Sequence, residues 1–157
     1  MGITFKNPQV VQNRIRVVFD TIDQRIHRTL FEMGTRCIEQ ARKLTEITWM
    51  GKTYNNQTGN LRSSIGFVIA RNGVEVEFNG FTPPEGYAGT ADTGPETGLL
   101  LARSVSETIT SGWSMVVVAG MDYAAELETK NYDVLTSAEY LMDKELPIML
   151  IKVKETI

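Results

Sequence analysis

The chain has 157 residues, of which 42% are hydrophobic and 22% are charged, and its formal net charge is -3. This length favours a single domain over residues 1–157, with enough chain to bury a core without disulfides or metal. The one cysteine, Cys37, excludes an internal disulfide. No apolar run reaches the roughly 18 residues of a membrane span, and the first residues lack a signal peptide's apolar stretch. We therefore expect a soluble cytosolic protein without membrane contact.

The two parts of the chain carry opposite charges. Residues 1–73 contain 11 Lys or Arg against 5 Asp or Glu, whereas residues 74–157 contain 5 against 14. These fields either attract each other within one compact fold or lie on solvated faces. Alternatively, the basic part of one subunit faces the acidic part of its neighbour, as a head-to-tail ring allows.

The first predicted element is a long helix over residues 8–47. Asn7 is a good N-cap residue, and Pro8 suits the first helical position. Apolar or small side chains then recur every three or four residues, which is the period of one helix face: Ile15, Phe19, Ile22, Ile26, Leu30, Met33, Cys37, Ala41 and Leu44. Unless Gly34 bends it, a helix of about 40 residues is roughly 60 Å long. We expect part of it to project and to need a partner for its apolar stripe.

A β-hairpin is predicted over residues 65–80, because Asn72-Gly73 is the dipeptide that prefers a type I′ turn. A two-residue turn sets these residues opposite each other: Arg71 and Val74, Ile69 and Val76, Phe67 and Phe78. The apolar side chains then meet on one buried face, and Glu75 and Glu77 point to the other. In the preceding segment, Gly59 supplies a turn and Leu61 anchors the joint between helix and strand.

Residues 81–112 form the least regular segment, which we interpret as an inserted loop arm that contacts another chain. A short helix is predicted within it, with Leu99 to Leu101 as its buried anchor. The glycine-rich part lacks the Gly-Lys-Ser/Thr ending of a phosphate-binding loop. Asp92 and Glu96 lack the spacing of an EF-hand loop, so we interpret them as solvated acids and expect no metal site.

The last third of the chain predicts a strand and two helices. Residues 113–119 read as a strand covered on both faces, and Asp122 is expected to cap a short helix after it. A terminal helix is predicted over residues 136–155, with a capping box formed by Thr136 and Glu139 and a kink or split at Pro147. The fold class is thus α+β: the N-terminal and C-terminal helices pack on one face of a small antiparallel sheet.

The sequence gives little support for catalysis. A nucleophile needs a base within hydrogen-bond reach, and the one histidine, His27, lies inside the helical stripe together with Cys37. An enzyme that combines Ser63 or Ser64 with His27 and Asp92 is an alternative that no spacing supports. We predict no catalytic residue, no cofactor and no metal.

Four short pieces, in this order, resemble one protein family. They are "TGNLRSSI" after the first helix, the strand pair, "VVVAGMDYAAELE", and the terminal helix beginning "DVLTSAEYLMDKELP". Together they cover about two-thirds of the chain and resemble the tail-completion or head-to-tail joining proteins of tailed bacteriophages. The matching residues are Thr58, Gly59, Leu61, Arg62, Ser64, Gly120, Tyr123, Ala124 and Glu126 or Glu128. Asp122 replaces the usual proline, Thr129-Lys130 replaces a usual glycine, and the residues from 80 to 112 resemble an insertion.

The resemblance implies a structural virion protein that is not an enzyme. It implies a ring, commonly six-fold with twelve-fold also compatible, in the neck or upper tail, assembled in the host cytoplasm. Its partners would be copies of itself and neighbouring neck, portal-side or tail proteins. Double-stranded DNA would pass through the lumen without sequence-specific binding.

The candidate residues for subunit interfaces come from this interpretation and from the charge division. They are Arg25, Arg62, Leu99, Leu100, Tyr123, Glu126 and Glu128. An alternative function is a non-viral binding or regulatory module that holds a partner with the segment 81–112. Deleting that segment distinguishes the two functions, because a binding module would lose one binary interaction and remain a monomer.

Overall fold

The computed structural model describes residues 7–43, 58–83 and 93–155. Eight elements follow one another in these ranges: α1 (Pro8–Ala41), α2 (Asn60–Ser63), β1 (Ile65–Arg71), β2 (Val74–Gly80), α3 (Gly94–Glu107), β3 (Trp113–Ala119), α4 (Ala124–Thr129) and α5 (Thr136–Glu155). The strands form an antiparallel sheet in the order β2-β1-β3. The predicted α+β fold class, with a long N-terminal helix, a C-terminal helix and a small antiparallel sheet, is confirmed.

Helix α1 is one helix of 34 residues and begins where the sequence predicts. The Asn7 side-chain oxygen accepts a hydrogen bond from the Val10 N–H at 3.4 Å, which caps the first turn. The predicted end at residue 47 is wrong, because the helix ends at Ala41. At this point Arg42 donates a hydrogen bond from Nη2 to the Ile65 carbonyl oxygen at 2.8 Å, which ties the end of the helix to β1. Residues 44–47 lie outside the described residues.

Gly34 does not interrupt α1 but lets the helix approach the sheet closely. A Cβ atom at this position would lie 2.6 Å from Cδ1 of Phe67, which is fully buried in β1. Phe31, one turn earlier, meets the Phe67 ring edge to face, with 5.5 Å between the ring centroids. The second half of α1 is therefore packed tightly against the central strand.

The hairpin is present, but its predicted register holds only beside the turn. Asn72 and Gly73 have φ angles of 54° and 78°, as a type I′ turn requires. Beyond Arg71 and Val74, a β-bulge shifts the pairs: Ala70 faces Glu75, Ile69 faces Glu77, Val68 faces Phe78 and Phe67 faces Asn79. The extra residue in β2 is why the predicted pairs of Ile69 with Val76 and of Phe67 with Phe78 are wrong.

The prediction that one face of the hairpin is buried is also wrong. Strand β1 lies in the centre of the sheet and is buried on both faces from Ile65 to Ala70. Strand β2 is an edge strand, and its Val74 is 68% exposed. Within the hairpin, β1 is therefore buried and β2 is exposed, because β3 pairs with the edge of β1 opposite β2 and places β1 in the middle of the sheet.

The short helix predicted within the loop arm is present as helix α3, which has 14 residues. Its buried positions are small residues spaced by four: Gly94, Gly98, Ala102 and Ser106. This face lets the backbone of α3 lie close to Ser64, the residue directly before β1. A Cβ atom at Gly98 would overlap the Ser64 carbonyl oxygen. Of the predicted anchor, Leu99 packs against the sheet while Leu100 and Leu101 are exposed. Residues 94–107 thus belong to the packed body, and residues 84–92 lie outside the described part.

Strand β3 and helix α5 have the predicted bounds. Helix α5 is not split at Pro147, although the missing N–H removes one backbone hydrogen bond. The predicted caps are wrong. Helix α4 follows Tyr123 without a side-chain cap from Asp122, and α5 is capped from outside by Glu128.

The sheet separates two apolar layers. On one face, Phe67 and Ile69 of β1 pack with α1 and α5 in the larger core. On the other face, Val68 and Val118 pack with Ala102 of α3. Two of the predicted helices therefore share one face, as expected, and α3 covers the opposite face.

Candidate functional site

The first half of α1 projects from this body with its apolar residues exposed. We call Ile15, Val18, Phe19 and Ile22 the projecting stripe. Phe19 is 62%, Ile15 51% and Val18 48% exposed, and Ile22 is half-buried, whereas the buried residues of α1 begin at Leu30. No hydrogen bond or ion pair joins residues 8–21 to another element in the described part of the chain. The prediction that part of the helix projects with a bare apolar stripe is confirmed.

A cluster of polar side chains fixes the point where α1 leaves the sheet. The indole Nε1 of Trp113 donates a hydrogen bond to Asp23 Oδ1 at 3.1 Å, and Arg71 Nη1 lies 2.5 Å from Asp23 Oδ2. The Arg71 guanidinium also lies over the Trp113 ring, 5.3 Å from its centroid. These contacts join α1 to the last residue of β1, beside the hairpin turn, and to the first residue of β3. They therefore help to set the direction in which the projecting half extends.

His27 adds a contact with the outer strand of the hairpin. Its Nε2 lies 2.9 Å from Glu77 Oε2, within ion-pair distance but not aligned as a hydrogen bond. The imidazole ring is also tilted against Trp113, with 5.8 Å between the centroids. His27 is therefore placed as a packing and anchoring residue at the base of the projecting half.

A groove of about 320 Å³ lies where β3, α1 and α5 meet. We call it the β3 groove. It is lined by Cys37, Met115, Val116, Val117, Leu135, Ala138, Glu139 and Met142. The lining is apolar apart from the Cys37 thiol and the Glu139 carboxylate. The pKa of the Cys37 thiol is raised from 9.0 to about 11, mainly because the thiol is buried; the nearby Arg36 lowers this pKa and Glu145 raises it, both by less than burial does.

The Cys37 thiol is a protonated, packed group in this setting. Its Sγ donates a weak hydrogen bond to the Ala138 carbonyl oxygen at 3.6 Å. A nucleophilic cysteine requires a lowered pKa, whereas this one is raised. Cys37 therefore contributes to the apolar wall of the β3 groove.

Two pieces of the phage-like sequence pattern contact each other. The Gly120 N–H donates to Ser64, at 3.0 Å from Oγ and 3.3 Å from the carbonyl oxygen. Burial raises the pKa of the Tyr123 hydroxyl, and a hydrogen bond with the Leu61 backbone partly opposes this rise. The segments "TGNLRSS" and "GMDYAAELE" thus form one joint beside the sheet.

The serines of this joint bond to backbone atoms. Ser63 Oγ donates to the Asn60 carbonyl oxygen at 3.0 Å, and Ser64 Oγ donates to the Leu61 carbonyl oxygen at 2.7 Å. The structure therefore places both hydroxyls in local turns and His27 beside Glu77. Asp92, the third member of the enzyme alternative, lies outside the described residues.

Glu128, which we predict at a subunit interface, caps helix α5 within the chain. Its Oε1 accepts hydrogen bonds from the N–H groups of Val134, Leu135 and Thr136 at 3.0, 2.5 and 3.1 Å. Its Oε2 accepts a hydrogen bond from Thr136 Oγ1 at 2.5 Å. The carboxylate thereby satisfies free donors at the start of α5 and faces its positive end. Sequence reasoning missed this role, because no local pattern links residues eight apart across a loop.

The other predicted interface residues occupy separate parts of the surface. Tyr123 is 41% exposed beside Leu61, which precedes Arg62 in α2. Arg25 lines a second groove, between α1 and the end of α5. The remaining residues are Leu99, which packs against the sheet, Leu100, which is exposed on α3, and Glu126 of α4, which pairs with Lys130 just after that helix.

The described part of the chain gives two further negative findings. None of its helices is both long and apolar enough to cross a membrane. Within residues 7–43, 58–83 and 93–155, no three His, Cys, Asp or Glu side chains are grouped so as to hold a metal ion.

No family model, no curated protein and no solved structure matches this chain.

Proposed function

We propose that this chain is a structural virion protein of a tailed bacteriophage. It forms an oligomeric ring in the neck or upper tail and joins head to tail around the DNA channel. Self-assembly rests on the projecting stripe of α1, and the placement in a phage neck rests on the order of the sequence pieces that resemble that family.

The exposed stripe is the observation that carries the proposal. Residues 8–21 extend about 20 Å at 1.5 Å per residue, and their apolar side chains lie in water. Burying a large aliphatic or aromatic side chain stabilises a protein by about 1.5 to 3 kcal/mol. An isolated subunit forgoes this stabilisation at Ile15 and Phe19, so association with another chain is favoured.

The joint between Ser64 and Gly120 supports the phage assignment. The two pieces of the family-like pattern lie 56 residues apart in the chain, yet the Gly120 N–H donates to both the hydroxyl and the carbonyl oxygen of Ser64. Glycine is required at this point, because a Cβ atom at Gly120 would overlap the backbone of Gly98. The residues that carry the resemblance therefore act together as one structural unit that links α2, α3 and β3.

The outer face of α3 favours the binding-module alternative. Leu100 is 58% exposed, and Leu101 and Val105 are also exposed on this helix. A regulatory module would use this face to hold one partner and would remain a monomer. Replacing Leu100 and Leu101 with Ser tests this alternative, because the substitutions leave the small buried face of α3 intact.

Particles produced without this chain test the proposed function. We expect DNA-filled heads that lack functional tails, because a neck ring is the attachment surface for the tail. Electron microscopy and a plaque assay provide the measurements, and resupplying the wild-type chain is the control. Tailed, infectious particles assembled without the chain would contradict the proposal.

A further inference from the structure

The β3 groove and the projecting stripe are complementary in character, but they lie far apart in one molecule. Phe19 and Cys37 are 18 residues apart on the same helix, which is about 27 Å at 1.5 Å per residue. Because α1 is one continuous helix, the stripe of a subunit cannot turn back to fill its own groove. Only a different molecule can bring the two surfaces together.

The charges around the two surfaces are opposite. Arg14 and Arg16 precede and follow Ile15 in α1, so around the helix axis they lie about 100° to either side of Ile15 and flank the projecting stripe. Glu139 lines the β3 groove, and Asp143 lies one turn further along α5. In the described part of the chain these four residues have no ion-pair partner. The stripe is thus an apolar helix face with basic flanks, and the groove is an apolar surface with an acidic rim, so the two are complementary in charge.

The outer edge of the hairpin is a poorer occupant for this groove. Strand β2 carries Glu75 and Glu77 and a β-bulge, which are features that protect an edge strand from pairing. The basic flanks of α1 favour the helix over the strand.

We propose that the projecting stripe of α1 docks into the β3 groove of a second copy of this chain. The two surfaces differ, so a docked pair leaves one stripe and one groove free, and further copies add head to tail. Such contacts close into a ring when the rotation between copies allows it. This inference deepens the proposed function and rests on its self-assembly part, since it names the two surfaces that join neighbouring subunits.

Cysteine cross-linking tests the contact directly. In a Cys37→Ala background, which has no other cysteine, Phe19→Cys is combined with Met142→Cys and the protein is oxidised under native conditions. We expect a ladder of disulfide-linked species beyond the dimer on a non-reducing gel. The matched control combines Gln24→Cys with Met142→Cys, because Gln24 faces away from the stripe, and it should give no ladder.

A second pair avoids the buried wall of the groove. Ile15→Cys with Asp143→Cys uses two exposed positions, so it leaves the core packing unchanged. Charge exchange gives an independent readout: Arg16→Glu should slow ladder formation about tenfold, and adding Glu139→Arg should restore it.

The outcomes separate this contact from the proposed function. Ladders with both cysteine pairs support the contact. If neither pair gives a ladder while the mass of the wild-type protein rises with concentration, the copies associate through another surface and the inference is overturned. If neither pair gives a ladder and the wild-type protein stays monomeric, both the contact and ring formation by self-association are overturned.

Discussion

Trp113 of β3 donates its indole N–H to the Asp23 carboxylate of α1 across 3.1 Å, and Arg71 pairs with the same carboxylate. One acidic side chain thus accepts from two strands at the point where the helix leaves the body. Together with the contact between His27 and Glu77, this junction fixes where α1 leaves the body and presents the projecting stripe. The geometry of assembly therefore depends on residues outside the apolar surface itself.

Replacing Asp23 with Ala should weaken this junction. Without the Asp23 carboxylate, the Trp113 N–H and the Arg71 guanidinium lose their shared hydrogen-bond acceptor. We therefore expect the free energy of unfolding to fall by about 1 kcal/mol. Urea denaturation followed by circular dichroism measures the change. Asp20→Ala, an exposed position on the same helix, is the control and should change stability by less than about 0.5 kcal/mol. Equal effects of the two substitutions would contradict the anchoring role of Asp23.

Replacing Glu128 with Ala should destabilise the fold through α5. The carboxylate accepts from three backbone N–H groups and one hydroxyl, so its removal should cost about 2 kcal/mol. Glu126→Ala is the matched control, because the Glu126 side chain makes an exposed pair with Lys130, and its removal should lower the free energy of unfolding much less than the removal of Glu128. A larger effect at Glu126 than at Glu128 would show that the cap is not the main role of Glu128.

Adding a methyl group at Gly98 should disrupt the contact of α3 with the body. Its Cβ atom would overlap the Ser64 carbonyl oxygen, so Gly98→Ala should cost about 3 kcal/mol. Gly112→Ala is the comparison, because no atom lies within 4 Å of the added Cβ there and the cost arises from the positive φ of 76° alone, about 1 kcal/mol. Thermal unfolding measures both. A stable Gly98→Ala variant would mean that α3 can move away from the sheet.

The raised pKa of Cys37 predicts both low reactivity and a pH effect on stability. At about pH 8 the folded thiol should react with iodoacetamide far more slowly than the same thiol in denaturant. The folded protein binds this proton more tightly than the unfolded chain does, so the stabilisation is complete below pH 9.0 and is lost as the pH rises toward about 11. Measuring the alkylation rate in native buffer and in denaturant tests this, and equal rates would contradict the burial of Cys37.

The sequence predicted those elements that short-range patterns determine. The N-cap at Asn7 follows from capping preference, the Asn72-Gly73 turn from turn chemistry and the bounds of β3 from an apolar run, and the structure confirms them. Helix α5 has the predicted bounds, but the cap at its start comes from Glu128 and not from the predicted capping box. The bulge in β2 was not predictable from the turn, because a type I′ turn fixes only the first pair of residues. It depends on which side chains face α1 and α3, which is a tertiary property.

Helix α3 shows a different limit. Only a short helix around Leu99 to Leu101 was predicted, because two glycines and a proline lower the helix propensity of the first turns, although the spacing of Gly94, Gly98, Ala102 and Ser106 by four was available as a signal. Tertiary contact overrode that propensity, because small residues let the helix lie close to the sheet. At the candidate site, the exposed stripe followed from helical period and length alone, whereas the β3 groove arises from three elements and leaves no local pattern.

The dependence of molecular mass on concentration tests the central claim most directly. Light scattering should show the mass of the wild-type protein rising with concentration, whereas Phe19→Glu should remain a monomer and Gln24→Glu, which adds the same charge on the opposite face of α1, should behave as the wild type. Circular dichroism should show that all three are folded. Equal association of Phe19→Glu and the wild type would contradict the claim that the projecting stripe holds subunits together.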